Sequence, residues 1–288
     1  MSLTIPRSLA ASCRNDPERM EWLERLPSVV RDLERRWSLE VEQPFDGPEV
    51  SAAWVAPAVR SDGTPAVLKI SMPHMEANHE IDGLRFWDGD PTVRLLDADE
   101  GSGAMLLERC VPDTWLRSSP EEEQDVVIAG LLRRMWRVPD SPHPFRPLAE
   151  MVDLWIEETL ANQARWLDPG LVREGLRAFG ALSDDPVPGH VLLATDLHAG
   201  NVLSARREPW LVIDPKPFVG DPAFDATQHL LNCTERMLDA PGATIERFAG
   251  LVGVDPDRVR RWTFARGAAE NRHDWDDPWT AIARGLGV

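Results

Sequence analysis

The stretch "LLATDLHAGNVL", residues 192–203, places an acid, an imidazole and an amide (Asp196, His198 and Asn201) at the end of an apolar run. A second apolar run, "WLVID", ends in Asp214. Each oxygen-bearing side chain lies at the edge of a predicted strand, where it can point into a cleft. Hard cations such as magnesium take oxygen ligands, of which the protein usually gives one or two. Asn201 and Asp214 can supply those. Asp196 is then left to accept a proton from an attacking hydroxyl. Lys69, in "AVLKI", adds a compact positive charge of the kind that meets a single phosphate oxygen. Cation, metal ligands and base together are the parts of phosphoryl transfer. Taken singly they are commonplace: an Asp at a strand end is usually a turn or cap residue, and a strand lysine is usually solvated. The set in this order is what points to chemistry.

Lys69 stands out for a second reason. The sequence of 288 residues contains 31 Lys and Arg, yet its only lysines are Lys69 and Lys216. A chain that favours arginine so strongly needs a local reason for each lysine it keeps. The formal net charge of −17 disfavours nucleic acid, whose phosphates it would repel, and suits a cationic ligand. An acidic surface also simply keeps a protein soluble. No run approaches a membrane span, and the N-terminal stretch lacks the pattern of a secretory signal. The three cysteines, Cys13, Cys110 and Cys233, have no metal-like spacing and suit a reducing cytoplasm. The expectation is a cytoplasmic protein with no nucleic-acid, membrane or evident protein partner.

The elements that must position these groups are readable in outline. Residues 16–38 predict an amphipathic helix, capped by Asp16 with Pro17 in the first turn, and Pro27 predicts a break or kink. "VSAAWVAPAVRSDGTPAVLKI" reads as strand, turn at Asp62-Gly63, and strand, the second strand carrying Lys69. A helix follows over 76–87, then two strands in "TVRLLDAD" and "GAMLLERC". After Cys110 helices dominate. Ser119-Pro120-Glu121-Glu122 predicts a capping box opening a helix with Val127, Leu131, Met135 and Val138 on one face. Further helices are expected over 148–167 and 169–183, the latter capped by Asp168. Short strands are expected at 190–194, 201–204 and 210–213, and Asp221-Pro222 and Asp255-Pro256 each open a helix. A β-rich front and a helix-rich back make an α+β protein in two lobes, with a cleft between them for a ligand.

These residues also carry a resemblance. "DLHAGN" followed by "VIDPKPFVGDPAFD" resembles the signature of the aminoglycoside phosphotransferases, in particular the branch of streptomycin 6-kinases and hydroxyurea phosphotransferases. "DGTPAVLKI" and "VRLLDADEGSGAMLLERC" match the same pattern, and the resemblance spans roughly residues 40–280. It implies a bilobal protein-kinase-like fold, with a small β-rich lobe over 1–109 that binds nucleotide and a larger helical lobe over 110–288. It implies ATP and Mg2+ as cofactors and transfer of the γ-phosphate to a hydroxyl of a small, cationic acceptor of the streptomycin type. Asp196 would be the catalytic base, and Asn201 and Asp214 the magnesium ligands. Lys69 would meet the ATP phosphates and pair with Glu80, or else with Glu76. Glu108, Arg109 and Cys110 would form the hinge, their backbone groups binding adenine. "DGPEVSA" (46–52) would be the loop over the phosphates.

His198 is either a phosphate contact or a brace of its own loop. Lys216 either contacts phosphate or offsets the acidic cluster, and Asp221 has a structural task. Where the family carries His-Gly or His-Trp before the catalytic aspartate, this chain has Ala194-Thr195, a departure that bears on loop geometry. Candidate acceptor contacts are Asp153, Glu157 and Glu158 on the helix at 148–167, and Glu270, Asn271, Asp274 and Trp275 near the C-terminus. Carboxylates and an aromatic face suit a hydroxylated cation; a solvated helix face and a polar tail are the plainer reading. Two other functions fit the same residues. One is a kinase of another hydroxylated metabolite, an amino sugar or hydroxyurea; the other is a nucleotide-binding protein without catalysis. A protein kinase is disfavoured, since no activation segment with an Ala-Pro-Glu ending is evident.

Overall fold

The structure, a computed structural model, describes residues 3–47, 52–73, 78–185, 189–270 and 277–287. Glu76, Asn271, Asp274, Trp275 and most of the 46–52 loop lie outside the described residues. The chain divides into two compact units: residues 1–113 with 204–211, and 114–203 with 212–288.

The first unit opens with α1 (Arg7–Cys13) and α2 (Pro17–Trp37). Asp16 caps α2 as expected, accepting from the backbone of Glu18 and Arg19. The helix runs unbroken through Pro27, because Leu26, Val30 and Leu33 anchor both sides of it in the core. A five-stranded sheet follows in the order β1-β2-β3-β5-β4, formed by β1 (Leu39–Val41), β2 (Ala53–Arg60), β3 (Pro65–Ser71), β4 (Leu95–Asp99) and β5 (Ala104–Glu108). All its pairs are antiparallel. Side chains alternate across a strand. Ala66, Leu68 and Ile70 of β3 are therefore all buried on one face with Trp54 and α2, while Lys69 projects from the other. Helix α3 (Glu80–Trp87) lies between β3 and β4 in sequence. It is shorter than the 76–87 expectation, and Leu84 and Trp87 are buried on the Glu80 face at the i+4 and i+7 positions.

The chain leaves the first unit within β6 (Pro112–Trp115). The second unit holds α4 (Glu121–Met135), α5 (Leu148–Ala161), α6 (Pro169–Asp184), β7 (Val191–Leu193) and the first half of β8 (Val202–Ala205). After β9 (Leu211–Val212) and β10 (Phe218–Gly220) come α7 (Pro222–Asn232), α8 (Thr234–Asp239), α9 (Pro241–Val252), α10 (Pro256–Ala269) and α11 (Pro278–Leu286). The expected capping box does not form. Pro120 occupies the cap position of α4 without a side-chain bond, and Ser119 closes the 3-10 turn before it. The helix also stops at Met135, which leaves Val138 69% exposed, while Ile128 joins Leu131 and Met135 in the core.

Helix α10 is the spine of this unit. Its Trp262 packs with Phe179, Phe224 and Trp155 in a chain of rings 5.2–6.2 Å apart. Helix α6 comes close enough that a Cβ on Gly175 would lie 2.7 Å from those of Ala268 and Ala269, so only glycine fits there. Buried Asp125 accepts from His229, Arg236 and Arg247. Burial alone would raise its pKa, but these three partners outweigh it and hold the carboxyl well below its usual range. With Cys233 the cluster has the spacing of a metal site, yet two guanidiniums already supply the positive charge that a cation would bring. No described helix is long and apolar enough to cross a membrane.

Candidate active site

The predicted residues fall in both units, and each group of them is held within its own unit. In the first, Lys69 Nζ lies 2.6 and 2.8 Å from the two carboxylate oxygens of Glu80. Both side chains are buried, at 9% and 4% exposure. Ser71 Oγ reaches the same carboxylate at 3.4 Å. Glu80 sits in the first turn of α3, where the helix N-terminus also favours its charge. A lysine whose ammonium is held by a buried carboxylate cannot wander, so it becomes a positioned charge.

Glu108 ends β5. Its N–H donates to Arg94 O at 2.9 Å, so this peptide N–H is already committed. Its carboxylate receives Arg207 Nε and Nη2 at 3.0 and 2.8 Å. The same guanidinium donates to Gly89 O and Thr92 O. Burial would raise the Glu108 pKa, but Arg207 and the Arg94 N–H outweigh it and lower it. The peptide groups of Arg109 and Cys110 make no backbone hydrogen bond among the described residues. The Cys110 thiol is buried and pushed up to about 12, mainly by desolvation, which leaves it inert.

In the second unit the loop after β7 is held from below by α7. Asp225, fully buried, accepts Thr195 N at 2.6 Å, Ala194 N at 2.9 Å and Trp136 Nε1 at 3.0 Å. Burial pushes its pKa up to about 6, while the three N–H donors on its two oxygens favour the carboxylate. Thr195 has a φ of 51°, a left-handed conformation that is costly for a β-branched residue. It is pinned there by Asp225 and by its own hydroxyl, which donates to Lys216 O at 2.7 Å. The Ala194-Thr195 departure therefore does not leave the loop unbraced. Strand β10 pairs antiparallel with β7, and Lys216 N donates to Ala194 O at 2.9 Å. The 214–216 segment thus runs beside the loop.

Asp196 emerges from this frame with its side chain 22% exposed. Its Oδ2 lies 2.8 Å from Lys216 Nζ, and its Oδ1 accepts Gln228 Nε2 at 2.8 Å. Lys216 is thus placed on the aspartate itself. Asn201 Nδ2 donates to Asp196 O at 2.9 Å, and its backbone O accepts Ile213 N at 2.9 Å, next to Asp214. With Nδ2 spent on the loop, the amide atom that remains is the oxygen. An amide oxygen and the carboxylate of Asp214 are the hard donors that magnesium takes, so these residues fit that ion.

His198 Nδ1 accepts Gly200 N–H at 3.0 Å, which assigns the proton of the neutral ring to Nε2, 3.9 Å from Asp196 Oδ1. Burial lowers its pKa despite the charge of Asp196. A Cβ on Gly200 would lie 2.7 Å from His198 Cε1, so the loop closes on its histidine only with glycine there. This is the geometry of a brace.

The acceptor candidates are dispersed. Asp153, Glu157 and Glu158 are exposed on α5. Glu270 pairs with Arg266 at 2.6 Å. Asp225, Gln228 and Arg266 belong to the site and were not identified from the sequence. Their signal is weak: an acid amid the apolar residues of "PAFDATQHLL", and a glutamine one turn further on the same face.

The aminoglycoside/hydroxyurea antibiotic resistance kinase family model matches residues 36–276. The streptomycin 6-kinase of Streptomyces griseus is 39% identical over 290 residues, covering 97% of this chain and 93% of that one. The hydroxyurea phosphotransferase of Kitasatospora aureofaciens is 38% identical over 252 residues, covering 85% and 72%. Among solved structures, the choline kinase LicA in complex with AMP aligns with a TM-score of 0.63 at 13% identity, covering 90% and 91%, a likeness of fold alone. With an ion-paired lysine in one unit and a braced aspartate in the other, the chain has the protein-kinase-like fold and belongs to the aminoglycoside/hydroxyurea antibiotic resistance kinase family of phosphotransferases.

Proposed function

We propose that the protein transfers the γ-phosphate of ATP to a hydroxyl of a streptomycin-type aminoglycoside. The observation that carries this is Asp196, a part-exposed carboxylate on a loop whose backbone is fixed by buried Asp225. The identity to a streptomycin 6-kinase along nearly the whole chain supports the acceptor class. In this reading residues 1–109 form the nucleotide-binding lobe and 110–288 the lobe that binds the acceptor, and the enzyme works in the cytoplasm. Asp196 orients the acceptor hydroxyl and takes its proton as the oxygen attacks. Lys69, held by Glu80, meets phosphate oxygens. The backbone of Arg109 and Cys110, which makes no other backbone hydrogen bond among the described residues, binds adenine. Asn201 and Asp214 hold magnesium, which when bound offsets the charge of the phosphates. Lys216 holds one oxygen of Asp196, and His198 braces the loop.

Because Arg207 ties Glu108 to Gly89 and Thr92, it sets the segment from which Arg109 and Cys110 follow. Arg207→Ala is expected to raise the KM for ATP about tenfold with little change in kcat, since small misplacements of binding groups are costly. Steady-state kinetics in ATP check this; an unchanged KM contradicts the hinge reading.

The reading as a whole is tested by ADP release from the purified protein with ATP and magnesium, across aminoglycosides, amino sugars and hydroxyurea. Streptomycin is expected to stimulate release. Hydroxyurea is the second acceptor to test, given the 38% identity to a hydroxyurea phosphotransferase. Stimulation by an amino sugar or hydroxyurea alone moves the acceptor, and silence across the panel with ATP still bound contradicts the assignment.

A further inference from the structure

We propose that Gln228, itself fixed by Arg266, is the positioning residue of Asp196, and that this relay sets the direction in which the carboxylate faces its acceptor. The proposal rests on the reading of Asp196 as the base. It begins with an aspartate torsion. The χ2 of an aspartate is broad and soft, so a base on a loop needs external partners to hold its plane. Asp196 has one on each oxygen: Gln228 Nε2 on Oδ1 and Lys216 Nζ on Oδ2, both at 2.8 Å. The two are not equivalent. A lysine ammonium on a flexible four-carbon stem follows a carboxylate that moves. Gln228 cannot, because its other end is tied.

That tie also settles which way the amide points. Arg266 Nη2 lies 2.6 Å from the far atom of the Gln228 amide. A guanidinium can only donate, so that atom is the oxygen, and the nitrogen faces Asp196. Arg266 is 2% exposed and has little freedom of its own. Its Nη1 donates to Thr227 Oγ1 at 2.8 Å and its Nε to Glu270 Oε2 at 2.6 Å. The rings of Phe224, Trp155 and Trp279 lie 4.9, 5.6 and 5.7 Å from its guanidinium carbon. Helix α7 thus uses two positions three apart: Asp225 grips the backbone of the loop, and Gln228 grips its functional side chain. The chain Glu270–Arg266–Gln228–Asp196 connects the base to the rigid spine helix α10.

The test compares two variants at pH 8. Gln228→Glu keeps the shape and the acceptor toward Arg266 but replaces the donor facing Asp196 with a carboxylate. Gln228→Leu removes both. A purely structural role tolerates the first variant. A positioning role predicts that both lower kcat by about 30-fold while the KM for ATP stays within about threefold, because a misaligned group costs rate rather than nucleotide affinity. The thermal midpoint of Gln228→Glu is expected to stay within a few degrees of the wild type, because the new carboxylate gains the charge of Arg266 as it meets that of Asp196. Near-wild-type kcat in Gln228→Glu overturns the proposal, as does a parallel change in kcat, KM and thermal midpoint. Asp196→Asn, assayed alongside, separates the two readings. If it is inactive while both Gln228 variants turn over normally, the base stands and the relay falls. If it turns over normally, the base falls and the relay with it. A readout independent of turnover is the side-chain amide resonance of Gln228, identified by its loss in Gln228→Glu. It is expected to shift in Asp196→Ala, and no shift overturns the contact.

Discussion

Asp196→Asn is expected to lower kcat for phosphoryl transfer by about three orders of magnitude, the upper part of what a positioned general base contributes. The substitution keeps the shape of the side chain and an oxygen for Gln228 Nε2, but removes the lone pair that takes the proton. Lys69 and Glu80, the proposed nucleotide groups, belong to the other unit and form their own ion pair, so ATP affinity should stay within a few-fold of wild type. Stability should change little, because the side chain is part-exposed and Lys216 can swing to solvent on its flexible stem. Initial rates at saturating ATP and acceptor, with ATP titrated in parallel by calorimetry, check both halves. Retention of a tenth or more of the wild-type kcat removes Asp196 from the chemistry.

The second large effect concerns folding. Asp225→Ala leaves Ala194 N, Thr195 N and Trp136 Nε1 without their acceptor in a fully buried place. Removing one partner from a buried charged network costs about 3–5 kcal/mol. The left-handed Thr195 adds to this, since its conformation persists only while its surroundings over-determine it. Asp225→Asn should recover little: it has one acceptor oxygen for two sets of donors, and its NH2 group faces an N–H. Urea unfolding with matched m-values measures both variants. An Asp225→Asn protein within about 1 kcal/mol of wild type would sink the account, because a single missing buried bond already costs that much. Whatever fraction remains folded should turn over slowly, since the loop that carries Asp196 is no longer held.

What the sequence revealed, and what it hid, follows the range of each interaction. Asp16-Pro17, Asp168-Pro169, Asp221-Pro222 and Asp255-Pro256 all cap helices as read, because a cap is decided by atoms two or three residues away. The strands around Asp62-Gly63 were legible from alternation and turn chemistry. Ser119 shows the limit of a local pattern: it has the residues of a capping box, but it closes a preceding turn and its side chain does not cap. Pro27 shows the opposite, a local breaker overruled by an apolar stripe packed on the core. Short elements with little periodicity, such as β1, β10 and α8, gave no signal strong enough to read, whereas α9, with Ile245, Phe248, Ala249 and Val252 at helical spacing, was legible in principle but not read. The site divides the same way. Asp196, Asn201 and Asp214 were visible because they are clustered in sequence beside apolar runs. Asp225, Gln228 and Arg266 were not, because their partners lie 30, 32 and 38 residues away and the contacts exist only once α7 and α10 are packed.

The scarcity of lysine has a practical side. Lys69 and Lys216 are the only lysine amines in the chain, and each lies against a carboxylate of the candidate site. Reagents that acylate amines therefore find no lysine elsewhere to absorb them. Coupling of amines to an activated surface, random for most proteins, would here tether the molecule through an N-terminal α-amine or through one of these two lysines of the candidate site. The same property makes a mild acylating probe a two-point reporter. Lys216, 25% exposed, should label ahead of Lys69, 9% exposed in its side chain, and the order of labelling would track the opening of each ion pair without any engineered tag.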